Sequence, residues 1–225
     1  MRKLGGVATF GQLNLNLDFS SWKTKTPEAS VRRIVQVSNA FFKIQPGLWA
    51  LEESKNEVLK KFDLHIGDKY SENAFTHTYY QGLLVEIGNL RNKATFVSNQ
   101  DKNKLFLQQA LKDISTLTTI YKFTYDEILR FAKTIDVAWF NERKMPSDFF
   151  EVEHTTDIKN SLSKFFELQD FSSNFYIVAP EYKKIKFTDY ISLSIYSPIK
   201  DRVKFVSYEQ LADMHTQEHK KLKYF

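Results

Sequence analysis

Two short apolar segments in the middle of the chain carry carboxylates, and that conflict constrains the fold more than any other feature. They are Thr134-Ile135-Asp136-Val137-Ala138-Trp139-Phe140 and Phe149-Phe150-Glu151-Val152-Glu153. Both are rich in the β-branched and aromatic residues that fit a pleated, half-buried surface. Side chains alternate along a strand, so Glu151 and Glu153 share one face while Phe150 and Val152 share the other. A short polar turn containing Pro146 separates the segments. The strand led by Asp136 should therefore neighbour the strand of the two glutamates. Three carboxylates on apolar, central strands repel one another and resist burial.

A hard divalent cation resolves that conflict. Mg²⁺ takes oxygen ligands from one or two carboxylates and keeps several waters. It lowers the pKa of a bound water and offsets charge developing on a phosphate, which phosphodiester hydrolysis requires. The competing reading of an acidic strand is an edge facing solvent, its acids paired with nearby Arg143 or Lys144.

Around these strands the chain alternates elements as an α/β domain does. Tyr80, Leu83, Leu84, Ile87 and Leu90 form one helical stripe, and Ala94 to Val97 reads as a strand. Helices are expected at Lys104 to Leu111, at Asp126 to Lys133 and around Ile158, Leu162, Phe165 and Phe166. Phe175 to Pro180 reads as a buried strand, Val203 to Val206 as the last strand, and Tyr208 to His219 as a terminal helix. Nearer the start, Val31, Ile34 and Val35 recur at helical spacing after Thr26-Pro27, a capping threonine before a first-turn proline. Strand, tight turn and strand follow in Phe41 to Ile44, Gln45-Pro46-Gly47 and Leu48 to Leu51. The charged stretch from Glu52 to Glu72 reads as a connecting helix or linker. The organisation expected is thus a small domain over 1–55, a linker over 56–75 and an α/β domain over 76–225.

An Asp opening one strand, Glu-x-Glu on the next, then a helix and a further strand resembles the PD-(D/E)XK nuclease superfamily. The run from Ile135 to Ile158 is similar to the core of restriction-endonuclease-like proteins, and Glu151-Val152-Glu153-His154-Thr155-Thr156-Asp157-Ile158 is its most specific part. The resemblance covers roughly His77 to Pro180. It implies a mixed sheet flanked by helices and a Mg²⁺-dependent endodeoxyribonuclease of the type II restriction class. Asp136 and Glu151 would be metal ligands, with Glu86 joining from the helix before the first core strand. The third catalytic position, usually lysine, is Glu153 here. Either Glu153 fills the role, or a lysine of the following helix, Lys159 or Lys164, does. Restriction enzymes are often dimers, so the resemblance also implies a homodimer.

The segment Trp22 to Gln36, with Phe42-Lys43-Ile44 and Pro46 to Leu51, resembles a winged-helix DNA-binding domain. On that resemblance Arg32 and Gln36, one helical turn apart, would enter the major groove of double-stranded DNA. Lys23, Lys25 and Arg33 would meet phosphates. The helix that usually opens such a domain should precede Gly5-Gly6, where only four residues stand. It is lost, supplied by another segment, or lies upstream of an internal methionine. Two alternative functions accompany the nuclease reading: a winged-helix regulator with an inactive nuclease-like core, and a structure-specific repair nuclease.

Composition excludes several other classes. There is no cysteine, hence no disulfide framework, thiolate zinc site or cysteine nucleophile. No apolar run approaches the roughly 18 residues of a membrane helix, and the start lacks a signal-peptide core, so a cytoplasmic address is expected. Lys and Arg total 32 against 27 Asp and Glu, an excess that suits a polyanionic partner. His215 and His219 lie one turn apart, a spacing that can bind zinc, but a charged terminal helix is the better account. His154 should point to the Val152 side, away from the glutamates, and His65 and His77 have no recognisable partners.

Overall fold

The structure, a computed structural model, describes residues 1–64, 68–154 and 157–222. The chain divides into two compact units, one formed by residues 1–72 with the chain end from Ala212, the other by Asn73–Leu211.

In the first unit a 3₁₀ turn at Arg2–Leu4 leads into β1 (Val7–Thr9), α1 (Phe10–Asn16), α2 (Pro27–Val37), β2 (Phe41–Gln45), β3 (Leu48–Leu51) and α3 (Lys55–Lys61). Helix α1 was not expected. Its start follows from a capping box, in which Thr9 Oγ1 accepts from Gln12 N while the Gln12 side chain accepts from Thr9 N. Thr26, by contrast, makes no side-chain cap at α2, where Pro27 takes the first turn. Pro46 and Gly47 (φ 80°) fill the central positions of a tight turn between β2 and β3, and only a residue without Cβ adopts that φ freely. The three strands pair antiparallel in the order β1-β3-β2. Ala8, Phe10, Leu13, Val31 and Val35 form the core beneath them. Ile34, expected on that buried stripe, is 51% exposed, because the buried face of α2 is set by Val31 and Val35 one turn apart.

The second unit begins within α4 (Lys69–Leu90) and continues through β4 (Ala94–Val97), β5 (Leu105–Phe106), β6 (Gln109–Ala110), α5 (Leu111–Ile114), α6 (Asp126–Ala132), β7 (Val137–Phe140), β8 (Pro146–Val152), α7 (Ile158–Phe166), β9 (Asn174–Ala179), α8 (Lys184–Ile191) and β10 (Val203–Ser207). It closes with the first turn of α9 (Tyr208–Lys221). Five strands form one mixed sheet in the order β10-β9-β8-β7-β4. β4 pairs with β7 and β7 with β8 antiparallel, while β8, β9 and β10 are mutually parallel and joined by crossovers through α7 and α8. The α4 side carries Trp139, Phe150 and Tyr176, with Trp139 Nε1 donating to the Leu84 carbonyl (3.2 Å). The opposite side packs Phe140, Phe149, Phe175 and Ile177 against Leu162 and Phe165 of α7. This is the mixed α/β sheet flanked by helices that the sequence calls for.

The helix expected at Lys104 to Leu111 is instead a hairpin, β5 with β6. Its turn puts Leu107 at φ 54°, a conformation a leucine adopts only when its surroundings demand it. The demand is burial: Phe106 (3% exposed) and Leu107 (9%) pack inward, and the Phe106 ring lies against Gly82 of α4. A Cβ on Gly82 would fall 2.0 Å from Phe106 Cδ2. Gly82→Ala is therefore expected to lower stability, since the strain of overpacking, about 1–3 kcal/mol, exceeds the helix-propensity gain of about 1 kcal/mol. A urea unfolding midpoint equal to or above wild type would show that this close approach is absent.

Candidate active site

Asp136 stands one residue before β7, and β7 pairs with β8 so that Val137 faces Phe150. That register sets Asp136 beside Glu151. The Asp136 backbone N–H donates to Glu151 Oε1 (3.3 Å), and Asp136 Oδ2 accepts from the Val152 N–H (2.7 Å). Asp136 Oδ1 takes no hydrogen bond among the described residues. Glu151 and Glu153 share a face as strand alternation requires, because Ser161 Oγ of α7 meets both carboxylates, Glu151 Oε2 at 3.1 Å and Glu153 Oε1 more closely still. Both are buried, at 2% and 4% exposure.

Solvent exposure and pairing with Arg143 or Lys144 do not describe these acids. Those two cations lie in the β7–β8 turn, at the other end of the strands. The cation at the site is Lys164 of α7, whose Nζ lies 2.9 Å and 2.8 Å from the two oxygens of Glu151. Burial pushes the Glu151 carboxyl well above the usual range and neighbouring Asp136 pushes it further, with Lys164 opposing. Burial works against the Lys164 ammonium, but Glu151, with Asp136 and Glu153 beyond, raises it above its ordinary value. Lys164 is thus a fixed cation. Lys159, the other helix lysine considered, is exposed and contributes its backbone N–H to the Asp157 cap of α7.

The sequence offers His77 no recognisable partner, yet its Nε2 lies 3.2 Å from Asp136 Oδ2. Burial alone would lower the imidazole, but the hydrogen bond and charge of Asp136, with Asp101 behind, carry it above its ordinary value. Glu86 does not take this place. It stands about two and a half turns further along α4, on the opposite side of the helix from His77, so the helix brings an imidazole to Asp136 rather than a carboxylate. The polar periodicity His77-Gln81, off the apolar stripe, is the signal that would have revealed it. His154 rests against Tyr208, with Nδ1 3.4 Å from the phenol oxygen.

A family model describing the type II restriction enzyme NmeDI C-terminal domain matches residues 58–225. The chain belongs to that family. Searches of curated proteins and of solved structures return no match to either. Family membership makes this chain a type II restriction enzyme domain, a nuclease whose substrate is DNA. Among the described residues no helix is long and apolar enough to cross a membrane.

The remaining sequence-derived positions lie in the first unit. Lys23, Lys25, Arg33 and Gln36 are exposed. Arg32, one turn from Gln36, is partly exposed, and its guanidinium pairs with Asp213 of α9 (2.6 Å) and lies 5.1 Å from the Phe10 ring centroid. Ala29, Arg33, Ile34, Gln36 and Val37 are the exposed residues of α2. His215 and His219 are buried at 1% and 8% rather than solvated, and the His219 ring packs against Gly11. His65 lies outside the described residues.

Proposed function

We propose that this restriction enzyme is a Mg²⁺-dependent endodeoxyribonuclease of the PD-(D/E)XK type, with its catalytic lysine carried by α7. The observation that carries the reading is Lys164 Nζ seated on both oxygens of Glu151, beside Asp136. The donor set suits a hard cation. It is all oxygen, Asp136 Oδ1 takes no hydrogen bond among the described residues, and burial together with neighbouring Asp136 raises the Glu151 carboxyl against the opposing charge of Lys164. Asp136 and Glu151 would hold the cation, which supplies an acidified water and charge neutralisation at the phosphate.

The other steps belong to side chains. Lys164 is protonated throughout the neutral range, so it acts by orienting the attacking water and stabilising charge on the phosphate, not by accepting a proton. Ser161 holds Glu151 and Glu153 in register by donating to both sites in turn. Glu153, the residue at the usual lysine position, then tunes the field around Lys164 without replacing it.

The first unit reads as a winged helix. β1, α1, α2 and the β2–β3 ribbon follow its order, and the turns of α9 from Ala212 onward pack against α1 and α2 through His219 and Asp213. On this reading α2 presents Arg33 and Gln36 to base edges, with Lys23 and Lys25 on phosphates, and Arg32 braces the helix. Gln36→Ala or Arg33→Ala should shift sequence preference by about 1–3 kcal/mol for a bidentate contact. Arg32→Ala should lower the melting temperature while leaving preference intact. The reverse pattern would return Arg32 to the reading role.

The overall test is direct. The protein is incubated with plasmid and phage DNA, with Mg²⁺ and with chelator. Discrete, Mg²⁺-dependent fragments are expected. A smear would point to a nonspecific or structure-directed nuclease, and intact DNA that is nonetheless retarded on a gel would make the protein a binder with an inactive core.

A further inference from the structure

We infer that a second cation position lies beside the proposed catalytic one, formed by His77, Asp101 and Asp136 with the carboxamide of Gln81, and that it selects a divalent transition metal. The inference shares Asp136 with the nuclease reading and rests on it to that extent. Ligand atoms of His77, Asp101 and Asp136 all lie within 4.8 Å of one another. Donors about 2.0–2.2 Å from one ion are separated by about 3–4 Å, so small side-chain adjustments bring these three onto a common centre.

A second observation points to an occupant. Gln81 is fully buried, its Nε2 donates to Asp101 Oδ2 (2.7 Å), and its Oε1 has no hydrogen-bond partner among the described residues. A buried carbonyl oxygen without a donor costs about 1–3 kcal/mol. Here that oxygen is one bond angle away from an amide nitrogen already placed on the cluster. Turning the carboxamide over would aim that oxygen at a cation held by Asp101 and His77 and satisfy it.

The chemistry of the set decides the ion. Mg²⁺ favours oxygen and water, whereas imidazole suits later transition metals such as Fe²⁺, Ni²⁺ and Zn²⁺, for which Co²⁺ is a visible stand-in. The contact between His77 Nε2 and Asp136 Oδ2 already turns the ring toward the cluster. Lys104 is the resident competitor. Its ammonium pairs with Asp101 Oδ1, and its side chain is 45% exposed, so it can swing into solvent when a metal arrives.

Co²⁺ titration of the full chain, followed by visible absorption and calorimetry, tests this. Wild type is expected to bind Co²⁺ at one site more than His77→Gln does. Asp101→Asn, which keeps the shape of the side chain, should weaken that same site by roughly tenfold or more. Lys104→Ala should tighten it severalfold, a gain that loss of structure cannot produce. Melting temperatures without metal identify any variant that fails to fold, in which case the Lys104→Ala result decides. Equal Co²⁺ stoichiometry in wild type and His77→Gln, or no tightening in Lys104→Ala, overturns the inference. Glu151→Gln separates the two proposals: the Co²⁺ site should persist in it while Mg²⁺-dependent cleavage is lost. Cleavage by Glu151→Gln with the Co²⁺ site intact would sink the catalytic reading alone.

Discussion

Asp136→Asn is expected to reduce Mg²⁺-dependent DNA cleavage by on the order of a thousandfold while leaving DNA affinity near wild type. The size follows from the several kcal/mol of transition-state charge stabilisation that a bound metal contributes, at about 1.4 kcal/mol for each factor of ten. The fold should survive the change. Asp136 Oδ2 accepts from the Val152 N–H at 2.7 Å, and the amide oxygen of an asparagine accepts there equally well. What the substitution removes is charge, and with it the ability of the remaining oxygen to hold a cation beside Glu151. Single-turnover cleavage in Mg²⁺, set against a gel-shift affinity in chelator, separates chemistry from binding. Undiminished cutting would mean that phosphate chemistry occurs elsewhere in the chain.

The acidic strands were legible because alternation is a strict geometric rule. Glu151 and Glu153 had to share a face, and both meet Ser161. The short turn at Pro146 similarly fixed β7 beside β8, and so Asp136 beside Glu151. The helical contributors were harder to read, because a helix offers a polar residue several directions and only the packed partner selects one. In α7, Ile158, Leu162 and Phe165 enter the core, and Ser161 and Lys164, three apart, fall on the flank that faces β8, while Lys159 points to solvent. The choice between Lys159 and Lys164 was open in the sequence for want of knowing which flank met the strand. In α4 the family resemblance points to Glu86, because it implies a carboxylate from that helix. Gly88, pressed against Trp139 and Thr95, marks the side that approaches the sheet, and His77 stands about three turns before it on that side. The β5–β6 hairpin was illegible for a different reason. Nothing in Lys104 to Leu111 breaks a helix, and the strained Leu107 is held only by the burial of its neighbours.

Lys164 carries the second large prediction, since on the proposed reading it takes the role of the lysine that Glu153 replaces on the strand. Lys164→Ala should lower the cleavage rate by on the order of 10²–10³, the usual consequence of deleting one preorganised electrostatic stabiliser. It also leaves Glu151 buried without its ion-pair partner, a change that costs about 3–5 kcal/mol where the orphan must stay charged. Glu151 need not stay charged, because burial has already pushed its carboxyl well above the usual range, so it takes up a proton and the loss of stability is smaller. Lys164→Met keeps the aliphatic stem and should match Lys164→Ala in rate while melting higher. Glu153→Gln should be mild, for the amide oxygen still accepts from Ser161. Glu153→Lys alone should fail, because a second ammonium on the face of Glu151 repels Lys164 at short range. The double change Lys164→Met with Glu153→Lys moves the one ammonium from helix to strand, and some cleavage should return relative to Lys164→Met. Glu153→Gln abolishing activity while Lys164→Ala retains it would assign the role to Glu153 and leave Lys164 as a counter-ion to a buried acid.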